Sequence, residues 1–170
     1  TVIDRDYAFL EYAAGLGVQV GGATGAGGDS PKLLLRLDEN ERVWIDTWQD
    51  EPTNPDHHYL VKFARGARTS RDQVILRSEY VYYRALAQLG VDTVPADGLM
   101  LHQGQHGPSL WMRRFDVTRR KGKEVRLGVE SIYSLMGARP GAWLAHQDVL
   151  EALRGVFGDS GFRRIVLEYL

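Results

Sequence analysis

The 170-residue sequence has no cysteine. That excludes disulfides, thiol catalysis and cysteine-based zinc sites, and it fits a reducing, cytoplasmic setting. No uninterrupted apolar run approaches the roughly 20 residues a membrane helix needs, and there is no signal-peptide pattern. An excess of one charge is missing too. The formal net charge is −1, which argues against general nucleic-acid binding, so a charged partner must be met by a local patch. Residue 1 is threonine rather than methionine, and residues 166–170 are mostly apolar with no closing turn, so both ends read as cuts in a longer chain.

What is present is a globular composition, 44% hydrophobic and 25% charged, at a length that favours one domain or two small lobes. The densest local signal is Gly21-Gly22-Ala23-Thr24-Gly25-Ala26-Gly27-Gly28-Asp29-Ser30-Pro31-Lys32, which runs straight into the strand-like Leu33-Leu34-Leu35-Arg36-Leu37. Glycines lose the most entropy on ordering, so a cluster of them points to backbone at φ > 0 or pressed against a ligand, and successive N–H groups there form an anion nest. A flexible linker is the other reading of glycines alone. Before the loop, residues 4–15 carry a capping aspartate, a helical apolar pattern and a glycine stop, hence a lead-in helix.

After the loop, residues 32–37 and 43–45 read as strands around a turn at 38–41, and 49–58 as an exposed loop. Residues 59–64 form a third strand in which Lys62 shares a face with Leu60 and Ala64, while Tyr59, Val61 and Phe63 take the other. The longest helix is predicted over 70–89, capped by Thr69 or Ser70 and stopped at Gly90. Its apolar stripe is read as Ile75, Tyr82, Tyr83 and Leu86, with Glu79 inside it. A carboxylate on an inward face needs a partner, and an inward lysine on the preceding strand supplies one, so a partly buried Lys62–Glu79 ion pair is expected.

Strands at 98–102 and 109–115 complete a five-stranded antiparallel sheet, their turn falling at 103–108. The basic run Arg119-Arg120-Lys121-Gly122-Lys123 reads as a solvated loop, and 129–136, 147–157 and 162–170 as helices. None of the five histidines is set up for metal or acid–base work. His57 and His58 are adjacent and diverge, the other three lack a carboxylate at useful spacing, and all are expected at the surface.

A glycine loop, a strand, a strand with lysine and a helix with glutamate follow the order of a protein-kinase amino-terminal lobe. More narrowly, Gly27-Gly28-Asp29-Ser30-Pro31-Lys32, Leu60-Val61-Lys62-Phe63, Ser78-Glu79-Tyr80 with the run from Ala87 to Pro95, and Trp111-Met112-Arg113-Arg114-Phe115-Asp116 together resemble the HipA family of bacterial toxin kinases, serine/threonine kinases of toxin–antitoxin modules. The resemblance implies an α+β fold: residues 1–116 as a kinase-like lobe with its lead-in helix and glycine loop, a twisted antiparallel sheet and one long helix, and residues 117–170 as the first helices of a truncated helical lobe. It implies ATP as ligand. Lys62 would contact the α- and β-phosphates, Glu79 would hold Lys62, the Gly27 and Gly28 backbone would close over the nucleotide, and the main chain of Arg113 and Phe115 would meet adenine. The family's usual glutamate is replaced by Arg113, so only main-chain recognition carries over there.

The resemblance also implies a protein substrate, a DNA-binding antitoxin partner and through it DNA, and no membrane. Autophosphorylation in the loop would fall on Thr24 or Ser30 only with a shift of register. Phosphoryl transfer needs a proton-accepting carboxylate and an Asn and Asp for magnesium. The only asparagines, Asn40 and Asn54, precede the long helix, so magnesium and its ligands are expected beyond Leu170 and no catalytic residue is assigned within the chain. The segment His146-Gln147-Asp148 opens an amphipathic helix and is read as a false match to a catalytic loop. A non-catalytic docking module of a toxin–antitoxin or DNA complex is the alternative function.

Overall fold

The structure, a computed structural model, describes residues 30–46, 53, 55–65, 68–105, 107–139 and 141–169. The lead-in helix and most of the glycine loop, including Gly27 and Gly28, lie outside them. The fold is α+β. Strands β1 (Lys32–Leu37), β2 (Val43–Ile45), β3 (His57–Phe63), β4 (Met100–Gly104) and β5 (Gly107–Arg113) form one antiparallel sheet in the order β2-β1-β3-β5-β4.

Between β3 and β4 runs helix α1 (Ser70–Gln88). It starts in a capping box: Thr69 Oγ1 accepts from the Asp72 backbone N–H at 3.2 Å, and the Asp72 carboxylate accepts from the Thr69 N–H at 3.0 Å. Past Leu89 the chain leaves the helix through Gly90 at φ +74°, a left-handed position that glycine takes without strain.

Register sorts the side chains onto two faces. Leu33, Leu35, Ile45, Tyr59, Val61, Phe63 and Trp111 form one apolar cluster, while Leu76 of α1 packs with Leu99, Leu110 and Met112 in a second, with Leu60, Tyr80 and Tyr83 against it. Lys62 lies opposite Leu110 and Lys32, on the helix-facing side, as the alternation of β3 requires.

The α1 stripe differs from the expected one. Leu76 is buried and Tyr80 and Tyr83 flank it, whereas Ile75 and Tyr82 are exposed. The helix carries two apolar stripes about 100° apart, and periodicity alone does not choose between them. The β4–β5 turn is tighter than expected, closing at Gly104↔Gly107, so both strands shift toward it and Phe115 falls beyond the strand end.

Residues read as a solvated basic loop form a separate hairpin of β6 (Val117–Arg120) and β7 (Lys123–Arg126). Its turn residues Lys121 and Gly122 both have positive φ, 51° and 76°, the backbone that two-residue hairpins require. The basic side chains of Arg119 to Lys123 stay exposed.

The chain divides into two compact units, Thr1–Leu127 and Gly128–Leu170. The second holds α2 (Ile132–Leu135), shorter than the helix expected over 129–136 because Ser131 caps it late, and α3 (His146–Tyr169). Gly158 interrupts α3 at φ 65°, ψ 174°, between the two stretches expected as separate helices. Among the described residues no helix is long and apolar enough to cross a membrane.

Candidate functional site

The site is built on β3 and α1. Lys62 is the penultimate residue of β3, a strand flanked on both sides, and α1 is anchored on the sheet by Leu76, which sets Glu79 one turn further along. Lys62 Nζ donates to Glu79 Oε1, the expected ion pair, with side-chain exposures of 18% and 27%. The pair is sheltered yet reachable from solvent. Glu79 has a second donor that sequence reasoning did not assign to the site: Tyr83 Oη, one turn on, donates to the same Oε1 at 3.2 Å. Burial and then the Glu79 charge and hydrogen bond push the Tyr83 phenol up to about 12.

Lys32 stands directly opposite Lys62 in the β1–β3 register, and its Nζ donates to the Ser30 carbonyl at 2.9 Å. Facing residues of neighbouring strands share a face, so two ammonium groups occupy the sheet end where the glycine-rich stretch joins β1.

The other candidate residues lie at the end of β5. Arg113 pairs with Tyr59 on β3, while β4 ends its pairing at Met100↔Trp111, before Arg113 is reached. The Arg113 side chain turns to Asp97, NH1 to Oδ2 at 3.1 Å, and NH2 donates to His57 Nε2 at 3.4 Å. This crossing explains Gly98: a Cβ there would sit 2.5 Å from Arg113 Nε and 3.0 Å from Tyr59 Oη, and φ is +76°. Phe115 is 65% exposed in the turn after β5. Lys62 and Arg113 thus lie on one sheet, with Glu79 on the helix packed against it and Phe115 in the turn that follows β5, and Gly27 and Gly28 fall outside the described residues.

Beside them lies a group of charges that sequence reasoning missed. Asp46, just past β2, has a fully buried side chain. Its Oδ2 accepts from His58 Nδ1 at 2.9 Å and from Arg114 NH1 at 2.6 Å, and its Oδ1 from Arg126 NH2 at 2.9 Å. Glu124 closes the ring, 2.7 Å from His58 Nε2 and 2.8 Å from Arg126 Nε. Arg114 also forks onto Asp116 at 2.9 and 2.5 Å.

Burial would raise the Asp46 carboxyl, but the hydrogen bonds and charges of His58 and Arg126 outweigh it and hold the group at about 2. His58 is therefore not at the surface as expected. It is buried, because strand alternation sends adjacent His57 and His58 to opposite faces. One signal of buried charge was present, a lone Arg36 inside Leu33-Leu34-Leu35-Arg36-Leu37. Arg36 is buried in a 2.8 Å bridge to Asp56, with its guanidinium 5.1 Å over the Trp44 ring.

The family model described as the HipA-like C-terminal domain matches residues 24–170. No curated protein and no solved structure gave a match.

Proposed function

The chain belongs to the HipA-like C-terminal domain family, and from that premise we propose that it is the ATP-binding portion of a serine/threonine-protein kinase of a toxin–antitoxin system. The observation that carries the reading is the Lys62–Glu79 ion pair, a strand lysine held by a helix carboxylate, with a glycine-rich stretch earlier in the sequence. In phosphoryl transfer such a lysine neutralises the nucleotide phosphates, and the helix glutamate fixes its ammonium. The residues fit the ligand on two counts. Lys62 keeps some exposure while paired, so a phosphate oxygen can reach it, and the Arg113 edge turned toward β4 extends past the last pair of that strand.

In this reading Lys62 holds the α- and β-phosphates, Glu79 orients Lys62, the Gly27 and Gly28 main chain covers the nucleotide, and the main chain of Arg113 and Phe115 holds adenine. Magnesium, when bound, would offset the charge of the phosphates, and the residues that would hold it are not among those assigned in this chain. The γ-phosphoryl group goes to a serine or threonine hydroxyl of a protein substrate in the cytoplasm, ADP leaves, and a carboxylate outside these 170 residues accepts the hydroxyl proton. A DNA-binding antitoxin is the partner, which brings the protein to DNA indirectly.

The test is a melting experiment with Mg-ATP on the protein extended past Leu170. Ligand at about 100 times its dissociation constant adds roughly 2.7 kcal/mol. At about 2–4 °C per kcal/mol, a shift of several degrees is expected, abolished by Lys62→Ala. A folded protein with no shift would favour a non-catalytic docking module.

A further inference from the structure

The turn Arg114-Phe115-Asp116 is short, and Phe115 in it is exposed, yet both its ends are tied down. The Arg114 backbone N–H donates to the His58 carbonyl at 2.9 Å, and the Asp116 carbonyl accepts from Leu127 N–H at 2.7 Å. The Arg114 guanidinium is gripped on two sides, by Asp46 at NH1 and by Asp116 at Nε and NH2. Asp46 in turn is locked by His58 and Arg126, and Glu124 bridges those two. Three separate pieces of chain therefore converge on the Asp46 carboxylate: strand β3, the turn after β5, and the β6–β7 hairpin.

A buried ionic group of this kind is a poor way to gain stability, because apolar residues of equal volume often do as well or better. What it supplies is a single geometry, since every donor and acceptor must be matched at once. The geometry it fixes is that of the main chain around Arg114.

We propose that Asp46 is a positioning residue for purine recognition: acting through Arg114, it holds the main chain of Arg113 and Phe115 in the one conformation that binds the base. Asp46 does not touch the nucleotide. The proposal rests on the ATP reading above and adds to it the residue that sets base affinity, separate from Lys62, which sets phosphate affinity.

The two roles separate by ligand. In the protein extended past Leu170, dissociation constants are measured for Mg-ATP, adenosine and Mg-tripolyphosphate. Each main-chain hydrogen bond lost to the base weakens binding by about two- to tenfold, so Asp46→Asn, which displaces both groups, is expected to weaken adenosine and Mg-ATP by a common factor of about ten or more and to leave tripolyphosphate unchanged. Lys62→Ala is expected to weaken Mg-ATP and tripolyphosphate and to leave adenosine unchanged.

Arg114→Lys is the second variant should Asp46→Asn fail to fold. It keeps the charge, loses the two-sided grip and should repeat the adenosine-selective loss, its fold checked by near-ultraviolet circular dichroism. If the folded variants bind adenosine like wild type, or lose adenosine and tripolyphosphate equally, Asp46 has only a structural role and the proposal is overturned. Should wild type bind Mg-ATP in a Lys62-dependent way while Asp46→Asn is silent, this inference alone fails. Wild type binding none of the three ligands overturns the ATP reading and this proposal with it.

Discussion

Glu79 holds two neighbours at once, Lys62 from β3 and Tyr83 one turn along α1. Removing one member of a fully buried pair costs about 3–5 kcal/mol. Because Lys62 and Glu79 each keep some exposure, solvent screening reduces this, and Glu79→Ala is expected to cost about 1–3 kcal/mol in urea denaturation. Tyr83→Phe should cost about 1 kcal/mol through the lost bond to Glu79. That cost should shrink in the Glu79→Ala background, since only the hydrogen bond couples the two sites. An undiminished Tyr83→Phe effect there would mean that the phenol acts through packing rather than through the carboxylate.

The long helix depends on how it begins and on where it lies. Thr69→Ala removes the side-chain acceptor for the Asp72 N–H and is expected to cost about 1 kcal/mol, read as a lower urea midpoint. At the sheet edge, Gly98→Ala would drive a methyl group into Arg113 Nε and force a left-handed φ on alanine. A loss of about 1–3 kcal/mol is expected, and a crystal structure of the variant should show Arg113 displaced from Asp97. A variant as stable as wild type would mean that Arg113 moves aside freely. The β6–β7 hairpin attaches to the main sheet through charge: Arg126 and Glu124 reach Asp46 and His58. That is why a basic stretch, unremarkable in composition, forms a defined element.

For the molecule as a whole, the carboxylates held low by folding contribute to the response to acid. Asp46 is held at about 2 in the folded state, against about 3.9 in an unfolded chain. A depressed folded value means that the unfolded chain binds protons more readily, so the stabilisation is complete above about pH 4 and is lost as pH falls toward 2. Asp116, whose burial is outweighed by Arg114, shifts the same way. Urea midpoints followed from pH 6 to pH 2 should fall steeply below pH 4 for wild type and less steeply for Asp46→Asn. Parallel curves would show that Asp46 titrates alike folded and unfolded.

The order of strands and helix, the two faces of β3, a cap at Thr69 or Ser70 and the meeting of Lys62 with Glu79 were all determined by local sequence. Each rests on a period of two or 3.6 residues, or on a buried charge that needed the nearest opposite one. The buried stripe of α1, the exact ends of β4 and β5, the β6–β7 hairpin and the burial of His58 were decided only in three dimensions. Asp46, His58, Arg114, Glu124 and Arg126 are scattered along the chain from residue 46 to residue 126. No spacing rule links them, because only the antiparallel register of the sheet and the return of the hairpin bring their charges within hydrogen-bond reach.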